Sequence, residues 1–300
     1  MSLKDLAGND PIKPFGETDV LLFYAIVSSK LKKFLKGKEI ATKVWLPAGN
    51  IPSFLNRGSK KEPLYIEEMA EITPDFLELR KAHLDDVRNK LTKVQQKIWE
   101  YFPPRKLMDF FYATNSETPG KPIDRIFFDI DRGEGVSSED AQEIANVLVN
   151  EVIPKDKELP TQKDPFVMWT GSSFHIYLFL KKKEPNEFYV KNFQFSKNDP
   201  EATFTGRWAK QVREITKMNA TGGHERVKGL IGIDPSQTPS GKLARVPLSS
   251  LHMRDADTVD GVSLPVDKKM LKKSDLVDRL REYTPKKVVK ELDSLAKLLP

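Results

Sequence analysis

Apolar residues recur at Leu21, Leu22, Phe23, Ile26, Val27, Leu31 and Phe34 with Lys on the remaining face, which predicts an amphipathic helix opening at Glu17. After Gly37 the pattern shortens to alternation, predicting strands at Ala41 to Leu46 and Pro63 to Ile66, with a loop rich in Gly, Ser and Lys from Asn56 to Lys61 between them. Thr73-Pro74 is a helix start, Thr as N-cap and Pro at the first helical position, where its missing N–H costs nothing. Leu84, Val87, Leu91, Val94 and Ile98 then fall on one helical face, predicting a long bracing helix that ends at Phe102-Pro103-Pro104.

The centre of the chain changes character. Ile123 to Asp131 reads as a strand, Ser138 to Val152 as a capped helix and Phe166 to Leu180 as a strand or hairpin. Thr205 to Lys217 is a further helix, and Leu230 to Asp234 and Lys242 to Val246 are strands. Two helices close the chain, Ser274 to Glu282 and one opening at Thr284-Pro285. Interleaved strands and helices predict an α/β (α+β) protein built around a sheet. The expected modules are an N-terminal helix-and-strand module over residues 1–115, a catalytic module over 116–270 and bracing helices over 271–300.

Composition narrows the chemistry more than the fold. The chain has 49 Lys plus Arg against 43 Asp plus Glu, so its formal charge of +6 permits an anionic partner without requiring one. Cys is absent, which removes disulfides, thiolate metal sites and a thiol nucleophile. Any metal must then be held by carboxylate, imidazole or carbonyl groups, and magnesium or manganese becomes the expected ion. Apolar runs such as Val20 to Val27 are too short to cross a bilayer, and Met1-Ser2-Leu3-Lys4-Asp5 has no leader pattern, so the expected address is cytoplasmic.

The most informative segment is Arg125-Ile126-Phe127-Phe128-Asp129-Ile130-Asp131-Arg132-Gly133. On a strand Asp129 and Asp131 share a face about 7 Å apart, close enough to share divalent cations. Read alone, Asp131-Arg132-Gly133 is equally a turn ending a strand, with Asp129 paired to a nearby base. The apolar Ile-Phe-Phe before it argues for burial, and two anions at the edge of a buried sheet are costly unless cations neutralise them. A second segment, Thr170-Gly171-Ser172-Ser173-Phe174-His175, puts Ser173 and His175 on one face beside a tight turn whose amides can approach an anion. His175 is also readable as a core histidine bound to a backbone carbonyl. A third, Leu230-Ile231-Gly232-Ile233-Asp234-Pro235-Ser236, is an apolar strand ending in Asp, and Arg245 and His252 follow it. Three carboxylates for two metals, with His, Ser and Arg donors for phosphates, match the needs of nucleotidyl transfer.

The order of these pieces, Asp-x-Asp, Ser-x-His, then an apolar residue followed by Asp, resembles the archaeo-eukaryotic primase superfamily. Arg245-x-Pro247 and Ser250-Leu251-His252 are similar to the stretch after the third motif in small catalytic primase subunits, and Asn56 to Leu79 distantly resembles the polymerase domain of DNA ligase D. The strong match spans Ile123 to His252. The resemblance implies an RRM-like catalytic sheet packed against the N-terminal module, with the active site in the cleft between them. It implies that Asp129, Asp131 and Asp234 bind two Mg2+ or Mn2+ ions, and that Ser172, Ser173, His175, Arg245 and His252 contact the NTP or dNTP. The implied activity is that of a DNA primase or DNA polymerase on template and primer, in replication priming or repair. A helicase, ligase or large primase subunit would be a partner. Two departures stand out: Thr170-Gly171-Ser172-Ser173 replaces the Ser-Gly-Gly form of the second motif, and without Cys the usual zinc insertion is excluded.

For the nucleic acid, the expected contact is the basic loop Asn56 to Lys61, through Arg57, Lys60 and Lys61. Two other readings stay open. Ile126 to Asp131 is also similar to the first motif of haloacid-dehalogenase-type phosphatases, with Asp129 as nucleophile, although that family has Thr or Val where this chain has Gly133. A sheet with basic patches also serves nucleic-acid binding without catalysis.

Overall fold

The computed structural model describes residues 3, 20–46, 53–161, 164–225, 227–253 and 259–300. The chain is a mixed α/β protein with several antiparallel sheets, and it divides into two compact units. One unit takes in Met1–Ala113, Leu243–Leu264 and Glu282–Pro300; the other takes in Thr114–Lys242 and Pro265–Arg281. The units are therefore not consecutive in sequence. Leu243–Leu264 belongs with the N-terminal unit rather than with the segment before it, and Pro265–Arg281 returns to the central one.

In the first unit, helix α1 (Val20–Leu31) is buried almost throughout, so it is a core helix rather than a two-faced one; its expected start at Glu17 lies outside the described residues. Strands β1 (Ile40–Trp45), β2 (Ser53–Arg57), β3 (Met108–Ala113) and β9 (Leu243–Arg245) form a sheet in the order β2-β1-β3-β9. The expected loop from Asn56 is corrected here: Asn56 and Arg57 end β2, paired with Thr42 and Ala41, and only the following residues turn. Pro63 to Ile66 is no strand either; Tyr65 makes a single bridge with Glu39 and a 3₁₀ turn begins at Ile66.

The long helix expected up to Phe102 is broken into α2 (Pro74–Leu79), α3 (Leu84–Val87) and α4 (Lys93–Tyr101). The interruption has a local cause. Thr92 accepts a hydrogen bond from the Gln95 amide while the Gln95 side chain returns one from the Thr92 amide, a capping box that starts a new helix. Val87, Leu91 and Ile98 are still buried.

The second unit is built on a six-stranded sheet ordered β12-β5-β6-β4-β8-β7. Its members are β4 (Ile123–Arg132), β5 (Phe166–Trp169), β6 (Phe174–Glu184), β7 (Ala220–Thr221), β8 (Ile231–Asp234) and, where the chain re-enters the unit, β12 (Leu264–Val266). Helices α5 (Ser138–Val147), α6 (Asn186–Asn192) and α7 (Phe204–Thr216) accompany it. Phe128 meets Phe193 and Trp208 at 6.2 and 5.8 Å on the face of β4 opposite Asp129, while Phe127 packs on Tyr177 at 5.1 Å on the face that carries the carboxylates. The remaining elements are β10 (Leu251–Met253) and β11 (Val259–Val262), which pair with each other, and helices α8 (Leu276–Arg281) and α9 (Pro285–Ala296). No helix among the described residues is long and apolar enough to cross a membrane.

Candidate active site

Strand register assembles the site. In the second unit β4 lies between two antiparallel partners, β6 and β8, and Asp129 is opposite His175 on one side and Asp234 on the other. Directly opposite residues point to the same face of a sheet, so His175, Asp129 and Asp234 form one lateral row. Asp131 projects from the same face one ladder step along β4, opposite Gly232.

Each member is held differently. His175 is buried, its Nε2 lies 3.4 Å from Asp129 Oδ1, its ring meets the Phe127 ring at 4.7 Å, and its Nδ1 is buried with no hydrogen-bond partner among the described residues. That Nε2 contact is longer than an ordinary hydrogen bond, so the imidazole is oriented by the carboxylate without being tied to it. Asp234 accepts from the Ser236 amide at 2.9 Å and the Ser236 hydroxyl at 2.7 Å. Burial raises the Asp234 carboxyl above the usual carboxylate range; the two Ser236 bonds hold it down in part, and the Asp129 charge pushes it up. The phenol of Tyr189, on α6, is likewise raised by burial and by the charge of Asp234.

Among the described residues no three His, Asp or Glu side chains converge tightly enough to hold one metal ion. The donor set nonetheless fits a hard divalent cation in its chemistry. Asp129 and Asp234 are directly opposed carboxylates whose charges disfavour one another, and a cation bound beside them relieves that repulsion.

The turn before β6 carries the serines. Gly171 has φ of 105°, a conformation that L side chains rarely adopt. The Ser173 hydroxyl donates to the Ile130 carbonyl, between the two aspartates of β4, and its amide donates to Thr170 Oγ1 at 3.1 Å. Ser173 therefore ties the turn to β4. Ser172 is half-buried, and its carbonyl accepts from Ser138 Oγ at 2.7 Å.

Arg245 and His252 fall in the first unit. Arg245 Nη1 lies 3.0 Å from Oδ1 of Asp109, which is 0% exposed, and also reaches Ser250 Oγ and the Leu251 carbonyl at 3.3 and 3.1 Å. His252 Nδ1 stands 3.6 Å from Asp260 Oδ2. Of the expected nucleic-acid contacts, Lys60 is exposed, Arg57 is half-buried at the end of β2, and Lys61 lies 3.5 Å from Glu100.

Sequence reading missed a cationic and aromatic sheet face in the first unit. Register puts Lys43, Trp45, Asp109, Phe111, Arg57 and Arg245 on the same side of β2-β1-β3-β9. Lys43 lies 4.1 Å from the Trp45 ring centre and Arg245 5.1 Å from that of Phe111, while Trp45 Nε1 donates to Asp109 at 3.3 Å. Burial lowers the Lys43 ammonium, Asp109 raises it and Arg245 lowers it. The available signal was the two-residue spacing of Lys43 and Trp45, which shares one strand face. His224, whose charge acts on Asp234, was also missed.

No protein-family model matches the chain, and no curated protein sequence does. Among solved structures, the chain is similar to the polymerase domain of Ligase D from Mycobacterium tuberculosis, determined in complex with DNA. The TM-score is 0.56 at 16% sequence identity, over 94% of this chain and 92% of that one. The likeness is one of fold, and it agrees with the α/β (α+β) class expected from the interleaved strands and helices.

Proposed function

We propose that this chain is a template-directed nucleotidyltransferase, a DNA primase or DNA polymerase that adds nucleotides to a 3′-hydroxyl and releases pyrophosphate. The observation that carries the reading is the row His175–Asp129–Asp234, with Asp131 one ladder step away on the same face. A phosphatase nucleophile at Asp129 would leave the opposing Asp234 without a role, and a binding module would repel phosphates with this row.

In this reading Asp129, Asp131 and Asp234 hold the divalent cations, Mg2+ or Mn2+. Bound there, such a cation neutralises phosphate charge and lowers the pKa of an attacking hydroxyl. Asp129 orients His175 through Nε2, so the imidazole is aimed along the row at a phosphate oxygen of the incoming nucleotide. Ser173 fixes the Gly171-Ser172 turn against β4, and Ser172 on that turn is the second serine that would contact the nucleotide. Ser236 fixes both oxygens of Asp234. These are pre-organised groups on sheet strands, the form in which electrostatic stabilisation is most effective.

The test is incubation of the purified protein with primer-template, labelled nucleotides and manganese. Primer extension supports the reading. Phosphate release without extension would favour the phosphatase, and binding with neither would favour the non-catalytic module.

A further inference from the structure

The carboxylate row does not stop at Asp234. Strand β7 pairs with β8 in parallel, Ala220 with Ile231 and Thr221 with Gly232, so the chain leaving β7 runs in the same direction as β8 toward Asp234. Gly222, Gly223 and His224 occupy that continuation. The backbone lies close: a Cβ on Gly232 would sit 2.6 Å from the Gly223 carbonyl oxygen and 3.3 Å from Asp131 Cβ. His224 is exposed.

This turn is held from several sides. A Cβ on Gly222 would meet the Phe195 ring at 2.5 Å and Thr205 Cγ2 at 2.9 Å, so Gly222 is packed flat against both. Glu225 pairs with Lys197 at 2.6 Å. Arg213 Nη1 donates to the Ala220 carbonyl at 2.7 Å, and the Ile231 amide donates to the Asn219 carbonyl at 2.9 Å. His224 thus follows a braced turn on the β8 side of the carboxylates, whereas His175 lies on the β6 side.

Three strand spacings separate β6 from β7, about 14 Å. His175 and the turn that carries His224 therefore flank the carboxylates from two sides, where two phosphate-bearing molecules can be met separately. The proposed reaction brings a second phosphate-bearing molecule to these carboxylates, the strand whose 3′-hydroxyl is extended. We propose that His224 holds the last internucleotide phosphate of that strand and so positions its 3′-hydroxyl beside Asp234. The inference rests on the nucleotidyltransferase reading. Its content is a hydrogen bond from an exposed imidazole to a phosphodiester oxygen, with no covalent step.

The test pairs a protein change with a change in the nucleic acid. Fluorescence anisotropy, with calcium replacing the catalytic metal, measures binding of a labelled primer-template to the wild-type protein and to His224→Ala. Each is measured with the natural linkage and with a neutral methylphosphonate at the last linkage of the primer. Each single change should weaken binding at least about tenfold, as for one hydrogen bond to a charged group. The two together should cost no more than either alone. In extension assays the KM for primer-template should rise more than that for nucleotide. Losses that multiply, or a His224→Ala protein that binds as tightly as wild type, would overturn the assignment. Non-additive losses in a wild-type protein that never extends a primer would keep the phosphate contact and overturn the nucleotidyltransferase reading. Extension by wild type with independent losses would do the reverse.

Discussion

Asp129 and Asp234 stand directly opposite each other on antiparallel strands, and the Asp129 charge adds to the burial that raises the Asp234 carboxyl. A fold that places two carboxylates in register, one of them buried and only partly compensated by the Ser236 donors, sets up electrostatic strain that a bound cation relieves.

Asp234→Asn should abolish nucleotide addition without weakening the fold. The Asp234 carboxyl titrates higher in the folded chain than in the unfolded one, so its ionised form opposes folding above the folded pKa, and this cost disappears as pH falls through that value. Without divalent ions the variant should melt above wild type near pH 8, with the difference closing as pH falls toward the ordinary carboxylate range. Manganese should raise the melting temperature of wild type and leave that of the variant nearly unchanged. A variant that melts well below wild type at pH 8 would mean that Asp234 is a structural partner rather than a strained ligand. Asp129→Ala or Asp131→Ala should likewise eliminate extension, and normal extension by either would sink the assignment.

Gly232→Ala tests the close approach beside Asp131. The new methyl group would meet the Gly223 carbonyl at 2.6 Å, a backbone atom that cannot swing aside, so the turn carrying Gly223 must move. Thermal unfolding should show a loss of about 1–3 kcal/mol, typical of overpacking. Because His224 rides on the displaced turn, binding of primer-template should weaken further than the stability loss explains, when assayed well below the melting temperature.

Much of the site could be read from residue spacing alone. Asp129 and Asp131 share a face because strand side chains alternate, and the apolar run before Asp234 marks a buried strand. Register was not readable. That Asp129 falls opposite both His175 and Asp234 depends on pairings between segments far apart in sequence, which no local pattern encodes. His224 was hidden for a related reason: β7 has two residues, too few for periodicity to show. In the first unit, Thr92 and Gln95 carried a legible helix start, but the apolar spacing from Leu84 to Ile98 continues across it and masked the break. Strand β3 was missed because nearly all its residues are buried, leaving no alternation to detect.

Arg245 has two separable roles to distinguish, partner of Asp109 and expected contact of the nucleotide. Asp109 is fully buried, so Arg245→Met would leave it without its guanidinium and should cost about 3 kcal/mol in denaturant unfolding. Adding Asp109→Asn removes the stranded charge and should restore most of that loss. If Arg245 also meets the triphosphate, the stable double variant should keep a raised KM for nucleotide. A double variant with wild-type KM would limit Arg245 to its structural pair.

The basic turn after β2 yields a graded prediction. Lys60 is exposed, whereas Lys61 is engaged with Glu100 at 3.5 Å, so the two should contribute unequally to a nucleic-acid contact. Each phosphate neutralised contributes about 0.9 to the slope of log affinity against log salt. Lys60→Gln should flatten the slope by close to that amount and weaken binding at low salt, while Lys61→Gln should change both by less, since its ammonium must first leave Glu100. Arg57→Gln, at the half-buried strand end, should fall between them. Anisotropy titrations of a primer-template across a salt series measure all three; slopes identical to wild type in every variant would remove this turn from the nucleic-acid surface.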